Sequence, residues 1–194
     1  MILLIKLSGS GKCADALQRL EQFSLARDQG VAVQAFERVD AAGVYLYVAL
    51  KDAPDPANVQ ALEQDLQAND SGAQCVLLEP GLHCAGAAAG HEAHWHYVVE
   101  TDVRPEAEAD FNAWYDTEHM PGLAAVPGTV QAQRYTACFG QPRYYATYDL
   151  QTQETFGSPA WLQVRATDWS SRVRPNFVNT SRTMFRRIAL QKED

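Results

Sequence analysis

Basic residues are in short supply: 16 Lys and Arg stand against 24 Asp and Glu, a formal net charge of −8 with a pI near 5.1. Such a chain lacks the clustered positive charge that a phosphate backbone demands, which argues against nucleic acid as a partner. Long apolar runs are missing too. Met1-Ile2-Leu3-Leu4-Ile5 is interrupted by Lys6, far short of the roughly 20 apolar residues of a spanning helix or the apolar region of an export signal. It reads as a first strand, with no membrane partner and a cytoplasmic location expected. Cysteine is sparse: Cys13, Cys75, Cys84 and Cys138 are scattered, without the close pairs of a metal site. Reduced thiols and no disulfide framework are expected.

What is present fits a folded globular protein: 194 residues, 46% hydrophobic and 21% charged, enough for one ordinary domain or two small ones. The few basic residues concentrate late, at Arg165, Arg172, Arg174, Arg182, Arg186 and Arg187. That cluster could neutralise a small anionic ligand. Solvated surface charge explains it as well and is the plainer reading.

Hydrophobic periodicity gives the first half a strand at 2–7 and a helix built on Leu17, Leu20 and Phe23 that ends before Gly30. Strands follow at 31–39 and 43–50, joined by an Asp40-Ala41-Ala42-Gly43 turn, and another at 73–79. Asp55 caps an intervening helix with Pro56 at its first position and Val59, Leu62 and Leu66 as its buried stripe. Strand, helix, strand, strand, helix, strand is the order of ferredoxin-like domains. A Gly- and Ala-rich stretch at 81–91 reads as a linker. The same order then recurs at 94–102, 105–119, 128–137, 143–150, 159–169 and 182–190. The expected fold is α+β: two tandem ferredoxin-like units with antiparallel sheets, at 1–80 and 92–194, related by duplication. Val33-Gln34-Ala35 and Val130-Gln131-Ala132 occupy matching strands. Two such units facing each other would enclose a pocket.

Chemistry concentrates at the end of the helix at 105–119. Pro105 and the acidic Glu106, Glu108 and Asp110 specify its start. Phe111, Trp114 and Glu118 continue one stripe, and His119 flanks it beside Tyr115. Pro121 disfavours helical backbone at Met120, which puts His119 in the last turn. There the helix dipole, Asp116 and Glu118 favour imidazolium while burial opposes it, so general acid or base work is within reach. From these residues alone, a helix-end histidine beside two core aromatics is the plainer account.

The whole segment, Phe111-Asn112-Ala113-Trp114-Tyr115-Asp116-Thr117-Glu118-His119-Met120-Pro121, then Val126-Pro127-Gly128 and Gln133-Arg134-Tyr135, resembles the EthD-like branch of the dimeric α/β-barrel superfamily. In that branch a helix ends in carboxylate-His-x-Pro, a Pro-Gly turn follows, and the next strand carries an Arg with an aromatic. The resemblance covers 94 to about 150 and extends to 190 by element order. Ser24-Leu25-Ala26-Arg27-Asp28-Gln29-Gly30 in the first half has neither the His nor the Pro. The resemblance implies two ferredoxin-like units paired within this chain as a barrel-like fold with a single site, and it leaves a homodimer open. It implies His119 and Glu118 as catalytic residues and Arg134 as a ligand for negative charge. The superfamily includes polyketide cyclases, haem-degrading monooxygenases, muconolactone isomerases and chlorite dismutase-like enzymes, so fold does not choose the reaction.

On a strand His94 and His96 point to one face with Glu100, where they could contact a ligand or, given a third donor such as Glu100 or His119, a metal. An H-x-H pair does not specify a metal by itself, and no residue is singled out as a haem ligand, so no cofactor and no metal is assigned. Tyr135, Tyr144, Tyr145, Tyr148, Trp161 and Trp169 suit an aromatic lining, with Tyr135 and Tyr145 taken as ligand contacts. Arg134 alternates with Tyr135, so only one of them faces the helices. Ser8-Gly9-Ser10-Gly11-Lys12 is similar to a phosphate loop but lacks its first Gly and its closing Ser or Thr. The expected function is a small-molecule enzyme acting on an apolar or aromatic compound by proton transfer. The alternatives are a non-catalytic binding protein or a haem- or metal-dependent monooxygenase-like enzyme.

Overall fold

A computed structural model describes residues 1–23 and 32–190. The chain forms two compact units, Met1–Glu79 with the chain from Phe185, and Pro80–Met184. The stretch at 24–30, compared above with the site motif, lies outside the described residues.

The first unit follows β1 (Ile2–Leu7), α1 (Cys13–Gln22), β2 (Val33–Arg38), β3 (Val44–Ala49), α2 (Pro56–Gln67) and β4 (Gln74–Ala85). Its strands pair antiparallel in the order β4-β1-β3-β2, with Leu3 opposite both Val48 and Leu77. Alternate residues Leu3, Ile5, Leu46 and Val48 turn to the helices and pack on Leu20, Val59, Leu62 and Leu66. The Asp55 carboxylate accepts the Ala57 N–H at 2.9 Å, and Pro56 opens α2 as its sequence predicts. Lys12 of the phosphate-loop-like turn is 3.4 Å from Asp70, an occupied cation rather than a phosphate cradle.

The second unit follows β5 (Trp95–Val103), α3 (Glu108–Trp114), a single π turn (Tyr115–His119), α4 (Met120–Ala124), β6 (Thr129–Ala137), β7 (Tyr144–Leu150), α5 (Pro159–Arg165), α6 (Asp168–Val173) and β8 (Phe177–Ile188). Its strand order, β8-β5-β7-β6, repeats that of the first unit. Residues 81–85, expected to open a linker, instead extend β4. The Gly86 N–H donates to the Val130 carbonyl at 2.9 Å and that of Ala88 to Thr129 at 2.8 Å. A Cβ on Gly86 would fall 2.1 Å from the Thr129 oxygen, so here glycine serves a close backbone approach rather than freedom. At the other end, Phe185–Ile188 of β8 pair with β2 inside the first unit.

Two helical expectations are corrected. The helix predicted to stop at His119 continues to Ala124. Met120 is helical (φ −66°, ψ −49°), and its N–H reaches back five residues to the Tyr115 carbonyl. This widened turn relieves the clash a proline ring makes with the preceding turn, and Pro121 then sits in the first turn of α4 where its missing N–H costs nothing. The helix predicted at 159–169 is two, broken where Thr167 accepts the Ser170 N–H at 3.0 Å and caps α6. Among the described residues no helix is long and apolar enough to cross a membrane.

Candidate active site

The helix-covered face of the second unit's sheet carries Tyr97 and Val99 from β5 and Tyr148 from β7. Above them the π turn, α5 and the start of β8 leave a pocket of about 360 Å³, including the part open to solvent. Its aromatic walls are Tyr97, Trp114, Tyr115, Tyr148, Trp161 and Phe177. Trp161 meets Tyr148 edge-on at 5.3 Å, the contact preferred by opposed ring quadrupoles.

His119 enters this pocket from the π turn, 7% exposed. Its ring stacks on Trp114 at 4.1 Å and 21°, and meets Tyr115 edge-on at 5.3 Å. Its Nδ1 is buried with no hydrogen-bond partner among the described residues. Burial first, then the positive charges of Arg165 and Arg174, push the imidazole down to about 3. Of the opposing influences named from the sequence, burial prevails: the helix does not end at His119, and burial outweighs the nearby carboxylates. The ring is neutral near pH 7.

Two further pocket residues hold buried polar atoms without partners: the Tyr148 hydroxyl and the Trp161 Nε1. Each such group costs roughly 1–3 kcal/mol when nothing meets it. Burial holds the Tyr148 phenol well above its usual range, so it remains a proton donor.

Three arginines complete the lining: Arg165 at the end of α5, Arg174 just after α6 and Arg182 on β8. Among the described residues none has a carboxylate within 4 Å. Partial burial and the neighbouring Arg165 and Arg182 push Arg174 below the usual guanidinium range. The rest of the late basic cluster is otherwise engaged. Arg172 forks onto Asp110 with two 3.0 Å bonds, Arg186 lies 3.6 Å from Glu37, and Arg187 sits over the Phe36 ring. The surface-charge reading preferred from sequence holds for exposure, since Arg172, Arg174, Arg182 and Arg186 are exposed, but Arg165, Arg174 and Arg182 also line the mouth of a pocket.

The other sequence-derived candidates scatter. The Glu118 carboxylate accepts from Trp114 Nε1 at 3.1 Å and from the Thr167 hydroxyl at 2.6 Å, fixing the indole on which His119 stacks. Arg134 is the one of its strand pair that faces the helices. It donates to Asp116 at 2.7 Å and Asn112 at 2.9 Å and lies 4.6 Å from the Tyr115 ring centroid. His96 is buried on the opposite sheet face with Nδ1 2.6 Å from Asp149, and Tyr135 and Tyr145 share that face by strand alternation. His94 precedes β5 and is exposed, 3.9 Å from Glu92. Among the described residues no three His, Cys, Asp or Glu side chains gather as a metal site would require.

Haem, handled by some members of the resembling superfamily, does not fit these residues. One face of His119 is covered by Trp114, His96 is committed to Asp149, and His94 lies on the surface.

No protein-family model and no curated protein matches the sequence. Solved structures do share its fold. A monooxygenase-like protein from Lactobacillus acidophilus NCFM superposes with a TM-score of 0.60 at 10% identity, covering 96% of this chain and 92% of that one. An anthrone oxidase-like protein gives 0.60 at 10% identity over 97% and 91%. A ferredoxin fold protein related to antibiotic biosynthesis monooxygenases, from Listeria monocytogenes 4b F2365, gives 0.59 at 10% over 98% and 96%. The chain thus shares its fold with these structures, one of which is described as a ferredoxin fold protein.

Proposed function

We propose that this chain is a small-molecule enzyme of the EthD-like type, acting on an apolar or aromatic compound in the second unit's pocket with His119 as its proton-transfer group. The observation that carries this is the buried, unpartnered His119 Nδ1 in an aromatic pocket that also holds the unpartnered Tyr148 hydroxyl and Trp161 N–H. The Glu118-His119-Met120-Pro121 sequence and the Pro127-Gly128 turn support the EthD-like assignment, although the helix continues past Pro121, and neighbours named as monooxygenase-like and anthrone oxidase-like accord with a small-molecule enzyme.

The neutral imidazole offers a lone pair that can take a proton from carbon beside a carbonyl. So weak a base removes it only if the resulting oxyanion is stabilised at once. The Tyr148 hydroxyl, the Trp161 N–H and the arginines supply fixed donors in a site of low polarity. The same nitrogen then returns the proton. Glu118 acts by positioning, through Trp114. Arg134, braced on Asp116, holds the Tyr115 wall.

The test uses 2-tetralone in deuterium oxide, reading loss of the proton signals beside its carbonyl by NMR. The wild type is expected to exchange them faster than buffer. His119→Phe, which keeps the ring stack and burial, is expected to fall to background while its circular dichroism is unchanged. Equal exchange by both proteins contradicts the proposal. A variant that still binds aromatic compounds while the wild type catalyses nothing would point to a binding protein.

A further inference from the structure

The proton-transfer reading is silent about the charge of the substrate. Like charges brought together repel, and a cluster with no counter-charge is stable only while solvent or an incoming anion screens it. Half-buried Arg165 and the exposed Arg174 and Arg182 line one pocket without a carboxylate within 4 Å among the described residues, although the chain as a whole has eight more acidic than basic side chains. Arg172, two residues from Arg174, shows the alternative: it is neutralised by Asp110. That carboxylate stands on α3, and Glu118, beside His119, is engaged by Trp114 and Thr167.

Resting on the pocket reading above, we infer that the substrate is a planar aromatic compound bearing an anionic oxygen group. The anion sits on Arg165, Arg174 and Arg182, and the ring system lies among Tyr97, Trp161 and Phe177. Planar guanidinium forks match a carboxylate with two parallel bonds. The aromatic walls supply an apolar slot whose buried Tyr148 hydroxyl and Trp161 N–H are met by a ring substituent. An anion on the arginines also removes the Coulombic part of what holds His119 deprotonated, so substrate charge and the proton-transfer group are linked through the same side chains.

Binding, not turnover, tests this, so that its failure is separable from failure of the exchange reaction on neutral 2-tetralone. 2-Naphthoate is titrated by calorimetry against its neutral isostere 2-naphthamide and against inorganic phosphate. Naphthoate is expected to bind at least about tenfold more tightly than the amide and the phosphate. Arg174→Gln and Arg182→Gln are each expected to weaken it by roughly tenfold; Arg174→Lys, which keeps charge but not the fork, is expected to weaken it less. Arg172→Gln, whose partner is Asp110, should leave it unchanged. Equal affinity for naphthoate and naphthamide, indifference to the arginine changes in variants of native circular dichroism, phosphate binding as tight as naphthoate, or no binding of any probe would each overturn the inference.

Discussion

His119 sits where three influences compete, and burial decides. With a folded value of about 3 against roughly 6.5 when unfolded, the unfolded chain binds an extra proton between those limits. Stability contributed by keeping the ring neutral is therefore intact above about pH 6.5 and is lost progressively as pH falls towards 3. The groups facing the ring are Trp114, Tyr115, Arg165 and Arg174, none of which titrates in that window. Urea denaturation of wild type and His119→Phe at pH 7.5 and pH 4.5 checks this: the variant's relative stability is expected to rise at the lower pH, and a pH-independent difference would contradict it. The sequence pointed to His119 but left the sign of its titration open, because the extent of burial and the distant Arg165 and Arg174 cannot be read from neighbours in the chain. Glu118 was legible as a helix-face carboxylate; its engagement by Thr167, 49 residues away, was not.

At the level of elements, the π turn and the turn after α4 set the site. Gly128 has φ +91°, and a Cβ there would fall 2.3 Å from the buried Thr155 hydroxyl. Gly128→Ala is expected to destabilise the protein by about 2 kcal/mol or more, from backbone strain and the clash together, measured as a lowered denaturation midpoint with unchanged slope. The order and type of strands were readable because hydrophobic alternation and turn residues are local signals, as Leu3, Ile5 and Leu7 show. Pro121 was misread for a physical reason: a proline inside a helix is tolerated where one widened turn frees the ring from its clash, and the sequence carries no mark of that turn. The extension of β4 through Pro80 and Gly81 was missed in the same way, since glycine signals either freedom or close approach.

For the whole molecule, the net charge of −8 should repel an anion at long range, while the pocket arginines attract it at short range. The sign of the salt effect separates the two. Raising salt from about 0.01 to about 0.1 M shortens the screening length from about 30 to about 10 Å. If the local arginines govern affinity, 2-naphthoate binds more weakly at the higher salt; if the overall charge governs, it binds more tightly. The late basic cluster was visible in the sequence, but which arginines have partners depends on Asp110 and Glu37, brought to Arg172 and Arg186 only by folding.

The central claim is that the pocket around His119 is where a ligand binds. The five histidines, His83, His91, His94, His96 and His119, give separate ring-nitrogen signals in a protein labelled with ¹⁵N. On titrating 2-naphthoate, the signals of His119 are predicted to move with the calorimetric saturation while those of the exposed His83, His91 and His94 stay in place. Saturable binding that leaves His119 unshifted would contradict the account.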